Sequence, residues 1–271
     1  MIGSPLDDGT PDPFEGPWAE PEEPPRPRRW WVPVLVLVVA GALLAPLIRG
    51  LLPPERLGSG TGFVIAESGL VLTAAHVVRD ARAVTVERDG RRHRAEVVAV
   101  SAEHDLALLA VPGMGAVPAA VLGDSATVQV GEGVVAVGFP AGSVVMAAVE
   151  GDVLGVGWRA IGPGGAVLGN LVAVQGEFLP GYSGAPLLNM SGEVIGIVGG
   201  TLAMEDGQEV GFAVAADRAR AWLAGRGVAL APPPRERGPA RSPAEVVQAV
   251  RSATVRVEAR LPEERRSDRR S

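Results

Sequence analysis

The 271-residue sequence contains no cysteine, and its 25 basic residues are all arginine. Without cysteine there are no disulfides, thiolate metal centres or cysteine nucleophiles. Without lysine there are no Schiff bases, serine–lysine dyads or phosphate-binding P-loop lysines. Aromatics are scarce: five Trp, five Phe and one Tyr. Three histidines, His76, His93 and His104, are the sole candidates for any imidazole chemistry. What the chain has in quantity is small and apolar, with 47% hydrophobic residues, 36 Gly and 24 Pro. That composition suits one globular domain with low-order flanks.

The net charge of -6 is unevenly spread. Residues 1–29 hold seven acids, three arginines and eight prolines, too little apolar surface to offset ordering entropy, which predicts a disordered tail. Next comes WWVPVLVLVVAGALLAPLI, residues 30–48, nineteen residues without a charge. As a helix it reaches roughly 28 Å against a hydrocarbon core of about 30 Å. The pattern predicts a single membrane anchor over 30–52, with Trp30 and Trp31 at the interface and Pro33 near the helix start. Ala40-Gly41-Ala42 also suits a signal-peptide cleavage site, but the preceding tail is long for a signal n-region. Arg26, Arg28 and Arg29 before the run, against Arg49 and Arg56 after it, put the N-terminus in the cytoplasm and the main domain outside.

From Gly58 to about Val214 the sequence reads as short strands between glycines, among them GTGFVIA, GLVLTA, DLALLAV, VVAVGFP and EVIGIVGG. Such spacing indicates an all-β sandwich or a pair of barrels. Five strands precede the Pro/Gly-containing stretch 112–133 and six follow it. Asp217–Ala224 then reads as a short closing helix stopped by Gly225 and Gly227, and Pro232–Pro234 marks a linker.

Three segments carry candidate chemistry. In GLVLTAAHVV an apolar strand ends in small residues that bring His76 to the sheet surface. Asp105 heads the apolar run DLALLAV, either as a strand-entry turn residue or as a buried partner for a histidine. Ser183 lies in PGYSGAPLLN, where flanking glycines permit a sharp backbone that exposes one hydroxyl. A serine hydroxyl needs a base to take its proton, and the oxyanion it creates needs preorganised donors; the Gly181 and Ser183 amides are placed to serve. Taken alone, this motif also fits a glycine-rich hairpin with an incidental serine. His93 alternates with arginines and reads as solvated, while His104 points away from Asp105 by strand alternation.

The chain order His, Asp, Ser is that of the chymotrypsin-type triad. The sequence resembles the HtrA (DegP-like) trypsin-like serine proteases through GSGTGFVI (58–65), LTAAHVV (72–78), HDLALLAV (104–111), LGDS (122–125), VGE (130–132), AVGFP (136–140), GYSGAPLLN (181–189), GEVIGI (192–197) and GFAV (211–214). The resemblance implies a double six-stranded β-barrel over 58–228. It also implies His76 as general base and acid, Asp105 as its orienting carboxylate, Ser183 as nucleophile, and the Gly181 and Ser183 amides as oxyanion hole, with no metal or cofactor. Tyr182, where the family has asparagine or aspartate, and Ala185, where it has a second glycine, depart from the pattern. By the same resemblance the side chain before the cleaved bond is small or aliphatic, yet Glu177 favours basic substrates if it lines the pocket.

The family carries a helix and a strand ahead of the GSG segment, and often a PDZ domain after the protease. Here an apolar run precedes Gly58, and the residues after the protease are too few for a PDZ domain. Beyond a Pro/Arg linker at 229–242, residues 243–261 resemble the leading helix and strand, with Val246, Val247 and Val250 at helical period and Val255 and Val257 alternating. The sequence-based expectation is that this segment docks back as the sixth strand of the first barrel, in a circularly permuted arrangement. The tail 262–271 mixes Arg265, Arg266, Arg269 and Arg270 with Glu263, Glu264 and Asp268, and reads as solvated. The expected partners are protein or peptide substrates and, through the single anchor, a membrane; nucleic acid is not expected, and a homo-oligomer is left open. The functional expectation is a membrane-anchored serine endopeptidase of extracytoplasmic proteins, with envelope protein quality control as its setting. The alternative is a catalytically inactive protease-fold module that binds peptides or senses stress.

Overall fold

Glycine-punctuated apolar stretches become strands β1 (Arg56–Ala66), β2 (Leu70–Ala74), β3 (Ala83–Arg88), β4 (Arg91–Ser101) and β5 (Leu106–Ala110). After a long connection follow β6 (Gly133–Gly138), β7 (Ala147–Ile161), β8 (Val167–Gln175), β9 (Pro186–Asn189), β10 (Val194–Ala203) and β11 (Glu209–Ala215), and near the C-terminus β12 (Thr254–Leu261). Among the described residues three α-helices accompany them: α1 (Ala75–Val78), α2 (Ala216–Ala224) and α3 (Pro243–Val250). The computed structural model describes residues 56–161, 165, 167–203 and 209–262. The acidic tail 1–29 and the apolar run 30–52 lie outside the described residues. Among those described, no helix is long and apolar enough to cross a membrane.

The strands close into two six-stranded barrels, ordered β1-β12-β3-β4-β5-β2 and β10-β11-β8-β7-β6-β9, an all-β double barrel. Alternation explains the strands that see solvent: β7 exposes and shields successive side chains along most of its length. β5, reading LALLA, has its first four residues buried, consistent with a strand covered on both faces. Phe63, Leu72, Val86, Leu108, Val255 and Val257 are among the residues filling the first core. Val134, Val172, Leu187 and Ile195 pack with Tyr182 in the second.

The sixth position of the first barrel is held by β12, antiparallel to β1 on one side and to β3 on the other. Its register sets Ala259, Val257 and Val255 opposite Gly58, Gly60 and Gly62 of β1. Glycine at alternate positions leaves β1 without side chains on one face, and a Cβ at Gly62 would meet Val71 and Val257. On the outer face Arg256 bridges Glu87 and Glu258, and Arg92 also pairs with Glu258.

The linker between α2 and α3 is tied along the second barrel. Arg237 donates to Glu132 at 2.7 Å and to Thr127 at 2.9 Å. Ser191 Oγ donates to the Gly238 carbonyl at 2.8 Å, and the Arg241 amide to that of Met190 at 2.8 Å. The sequence Ser242-Pro243-Ala244-Glu245 then starts α3 with a reciprocal capping box and a proline in its first turn. Hydrogen bonds from Ser242 hold the Glu245 carboxyl below its ordinary range. Apolar residues Val246 and Val250 face inward from this helix.

Candidate active site

His76 sits in α1, a single helical turn that directly continues β2. A helix this short leaves its amides without internal acceptors, and Asp105 supplies them from the head of β5. Its carbonyl accepts from the Ala75 amide at 3.0 Å, and its Oδ1 accepts from the His76 amide at 2.9 Å. The other carboxylate oxygen, Oδ2, lies 2.7 Å from His76 Nδ1. A carboxylate accepts, so Nδ1 carries the ring proton and Nε2 keeps the free lone pair. Asp105 is 5% exposed and holds φ at 50°, in the left-handed region. Such a conformation costs of order 1 kcal/mol and persists where surrounding contacts over-determine it. The two readings of Asp105 left open by the sequence, turn residue and histidine partner, both apply.

Ser183 lies on the loop between β8 and β9, and this loop is stitched to the first barrel through Thr61 of β1. The Thr61 amide donates to the Ser183 carbonyl at 2.9 Å, and Thr61 Oγ1 donates to the Gly181 carbonyl at 2.8 Å while accepting from the Phe139 amide at 2.9 Å. Thr73 Oγ1 of β2 donates to the Thr61 carbonyl at 2.6 Å. A Cβ on Gly60 would meet both the Ser183 carbonyl and Val77, the neighbour of His76. A Cβ on Gly184 would run into the Thr61 carbonyl, Thr73 Oγ1 and the Ala74 amide, and its φ is 87°. The serine loop and the residues leading into His76 are therefore in van der Waals contact. Among the described residues Ser183 Oγ itself makes no hydrogen bond.

The carbonyls of this loop are occupied. Leu179 accepts from Tyr182, Pro180 from Ala141, Gly181 from Thr61, Tyr182 from Ala185 and Ser183 from Thr61. The Gly181 and Ser183 amides, in contrast, find no acceptor among the described residues. Two unsatisfied donors on one loop are the kind of group an oxyanion requires. Thr61 was not singled out from sequence, although a polar residue between Gly60 and Gly62, just ahead of the apolar run FVIA, was the available signal. Thr61→Val keeps shape but leaves the Phe139 amide and the Gly181 carbonyl unpaired. A loss of about 1–3 kcal/mol of stability is expected, read by thermal melting, together with a lower rate at Ser183 as Gly181 loosens.

The two departures from the family pattern meet at Gly138. A Cβ there would touch Tyr182 and the Ala185 methyl, so a bare backbone makes room for both. Tyr182 is 1% exposed and its ring stacks near Phe178, with centroids 6.4 Å apart. Burial pushes its phenol above the usual 10.0. A raised value means the folded state holds the proton more tightly, so this stabilisation is intact below the unfolded value and lost as pH rises through the folded one. The chain has no cysteine or lysine to titrate in that range and one tyrosine. The phenolate absorbance is therefore expected to appear only above the ordinary tyrosine range, together with a falling melting temperature. Tyr182→Phe is expected to flatten that alkaline decline.

The other histidines stand apart from the serine loop. His93 is half-buried on β4 opposite Val86. His104 turns its Nδ1 to Arg218 of α2, at 3.0 Å from Nη2, and Arg218 Nη1 donates to the Gly169 carbonyl at 3.0 Å, a tie between the barrels. Glu177 does line the cleft that contains Ser183, and its side chain is exposed there. Among the described residues there is no group of three or more His, Asp or Glu that could hold a metal ion.

A model of the trypsin-like peptidase domain matches residues 60–197, just over half of the chain. The chain belongs to that family. Serine protease HTRA1 of Xenopus tropicalis is 36% identical over 173 residues, covering 61% of this chain and 35% of that protein. The chain thus spans about a third of that relative's length. Among solved structures, the active form of the Rv3671c protease from M. tuberculosis is 29% identical with a TM-score of 0.55, covering 65% of this chain and 75% of that one. The HtrA-type protease AlgW with a decapeptide is 27% identical, also with a TM-score of 0.55, covering 61% and 50% respectively. This trypsin-like domain is therefore similar to HtrA/DegP-type serine proteases. The match to residues 60–197 stops short of β12, which completes the first barrel from beyond the matched region.

Proposed function

We propose that the protein is a serine endopeptidase in which His76 takes the proton of Ser183 Oγ as that oxygen attacks a peptide carbonyl. Asp105 holds the imidazole with Nδ1–H fixed and Nε2 free, and it stabilises the imidazolium that forms. The carbonyl oxygen becomes an oxyanion and is received by the Gly181 and Ser183 amides. Collapse expels the amine, which takes its proton from His76, and leaves an acyl-enzyme on Ser183. Water, deprotonated by the same imidazole, then releases the acid. Every proton in this sequence moves through one ring, and no metal or cofactor is required.

The observation that carries the reading is the contact between His76 Nδ1 and the buried Asp105 carboxylate, with the residues leading into His76 packed against a loop whose Gly181 and Ser183 amides are unpaired among the described residues. The names of similar proteins, all proteases and serine protease HTRA1 among them, support it. The uncharged run at residues 30–48 supports a membrane tether with the protease on the extracytoplasmic side, where envelope proteins would be its substrates. A fluorophosphonate probe tests the chemistry directly. Stoichiometric labelling of the wild type that disappears in Ser183→Ala supports an assembled nucleophile. Absence of labelling at every protein concentration would instead favour a peptide-binding module without catalysis.

A further inference from the structure

We propose that Arg218 is a positioning residue of the catalytic apparatus: through His104 it fixes the turn that carries Asp105, and so holds the first barrel's carboxylate and imidazole in register with the second. This assignment rests on the serine-endopeptidase reading and adds to it two residues outside the triad.

His104 and Asp105 close the turn from β4 into β5. On its inner side Asp105 is gripped by α1, because the Ala75 and His76 amides and the His76 ring all bond to it. The outer side of the turn has less to hold it. Ala102 and Glu103 are exposed, and the His104 amide donates to Ser101 Oγ at 3.3 Å, a long contact. Yet Asp105 keeps φ at 50°, a conformation that persists where surrounding contacts over-determine it.

The second hold comes from the other barrel. Arg218 Nε and Nη2 lie 3.2 and 3.0 Å from His104 Nδ1. A guanidinium has no acceptor, so both groups donate, and the His104 ring carries its proton on Nε2, the tautomer opposite to that of His76. Glu103 Oε1 is 3.7 Å from Nη2, but its side chain is 78% exposed, and so exposed a pair contributes little. Arg218 itself is well anchored. It stands in the first turn of α2, which directly continues β11, and the neighbouring Asp217 amide donates to Ser125 Oγ at 3.1 Å. Its Nη1 donates to the Gly169 carbonyl of β8 at 3.0 Å. The guanidinium is planar with donors in a fixed fork, so seating one edge on β8 sets the direction of the edge that meets His104. Thr61 ties the barrels at the serine loop, and Arg218 ties them at the carboxylate.

The test is steady-state kinetics of the full chain on a quenched peptide, expressed per site labelled to completion by the fluorophosphonate probe so that folded enzyme alone is counted. Arg218→Ala is expected to lower kcat about 10- to 100-fold, the scale of a roughly 1 Å misplacement of a catalytic group, with KM little changed. Arg218→Lys, a point charge in place of a fork, should fall between. His104→Leu should reproduce the loss, whereas His104→Asn, whose Oδ1 takes the place of Nδ1, should restore most of the rate. Because the pair acts through one contact, Arg218→Ala/His104→Leu should be no slower than either single variant. The far-downfield proton resonance of His76 Nδ1–H on Asp105 should shift or broaden in Arg218→Ala and His104→Leu and return in His104→Asn.

Wild-type kcat per labelled site in Arg218→Ala and His104→Leu, a loss confined to KM, or equal losses in His104→Leu and His104→Asn would overturn the assignment while leaving the protease reading intact. If wild-type protein neither cleaves nor labels, the protease reading fails and the assignment falls with it. Where Arg218→Ala does not fold, the comparison of His104→Leu with His104→Asn decides.

Discussion

Ser183→Ala is expected to lower kcat by roughly 10⁴- to 10⁶-fold, the scale seen when a triad nucleophile is removed. The variant should bind peptide nearly as before, because the Gly181 amide and the cleft walls are unchanged. His76→Ala should cost a similar factor, since without an imidazole the serine hydroxyl has no base. The two losses are not additive: each group acts only through the other, so the double variant should be no slower than either single one within a few-fold. Steady-state kinetics on a quenched peptide, with KM or direct binding measured alongside, reads all of this. A Ser183→Ala protein that cleaves at the wild-type rate would remove the nucleophile from the proposal. An effect confined to KM would turn the site into a binding surface.

Deleting residues 243–271 is expected to unfold the first barrel and abolish labelling at Ser183. Four valines in this segment, Val246, Val250, Val255 and Val257, are 4% exposed or less. At about 1.5–3 kcal/mol for each buried side chain they contribute roughly 6–12 kcal/mol, comparable to the whole stability of a typical domain. Removing β12 also bares the edges of β1 and β3, two templates for aggregation. The site itself is affected because α1, which bears His76, packs on β12. Circular dichroism melting and probe labelling of the shortened chain provide the measurement, and adding a peptide of residues 243–262 should restore part of both. Unchanged melting would mean that five strands suffice for the first barrel.

Several features were legible in the sequence because they depend on local pattern. Strand-length apolar runs between glycines marked nearly every strand, and Asp217 marked the closing helix to within one residue of its start at Ala216. The three segments around His76, Asp105 and Ser183 were recognisable because their glycines and small residues serve backbone geometry that few other residues allow. Thr61 was not legible: its importance lies in hydrogen bonds to Phe139, Gly181 and Ser183, all far along the chain. Nor did strand alternation reveal where His104 points, because its partner, Arg218, comes from a helix on the other barrel.

The sequence by itself determined the strand-rich character, the chemical types available for catalysis and the segments that carry them, since each follows from composition and short-range periodicity. Tertiary structure decided which strand fills the sixth place of the first barrel, that Asp105 both anchors α1 and meets the His76 ring, and that the Gly181 and Ser183 amides stay unpaired. Those outcomes depend on contacts between residues tens to just over two hundred positions apart, whose energies arise only when closure of the barrels brings them within hydrogen-bonding or van der Waals range.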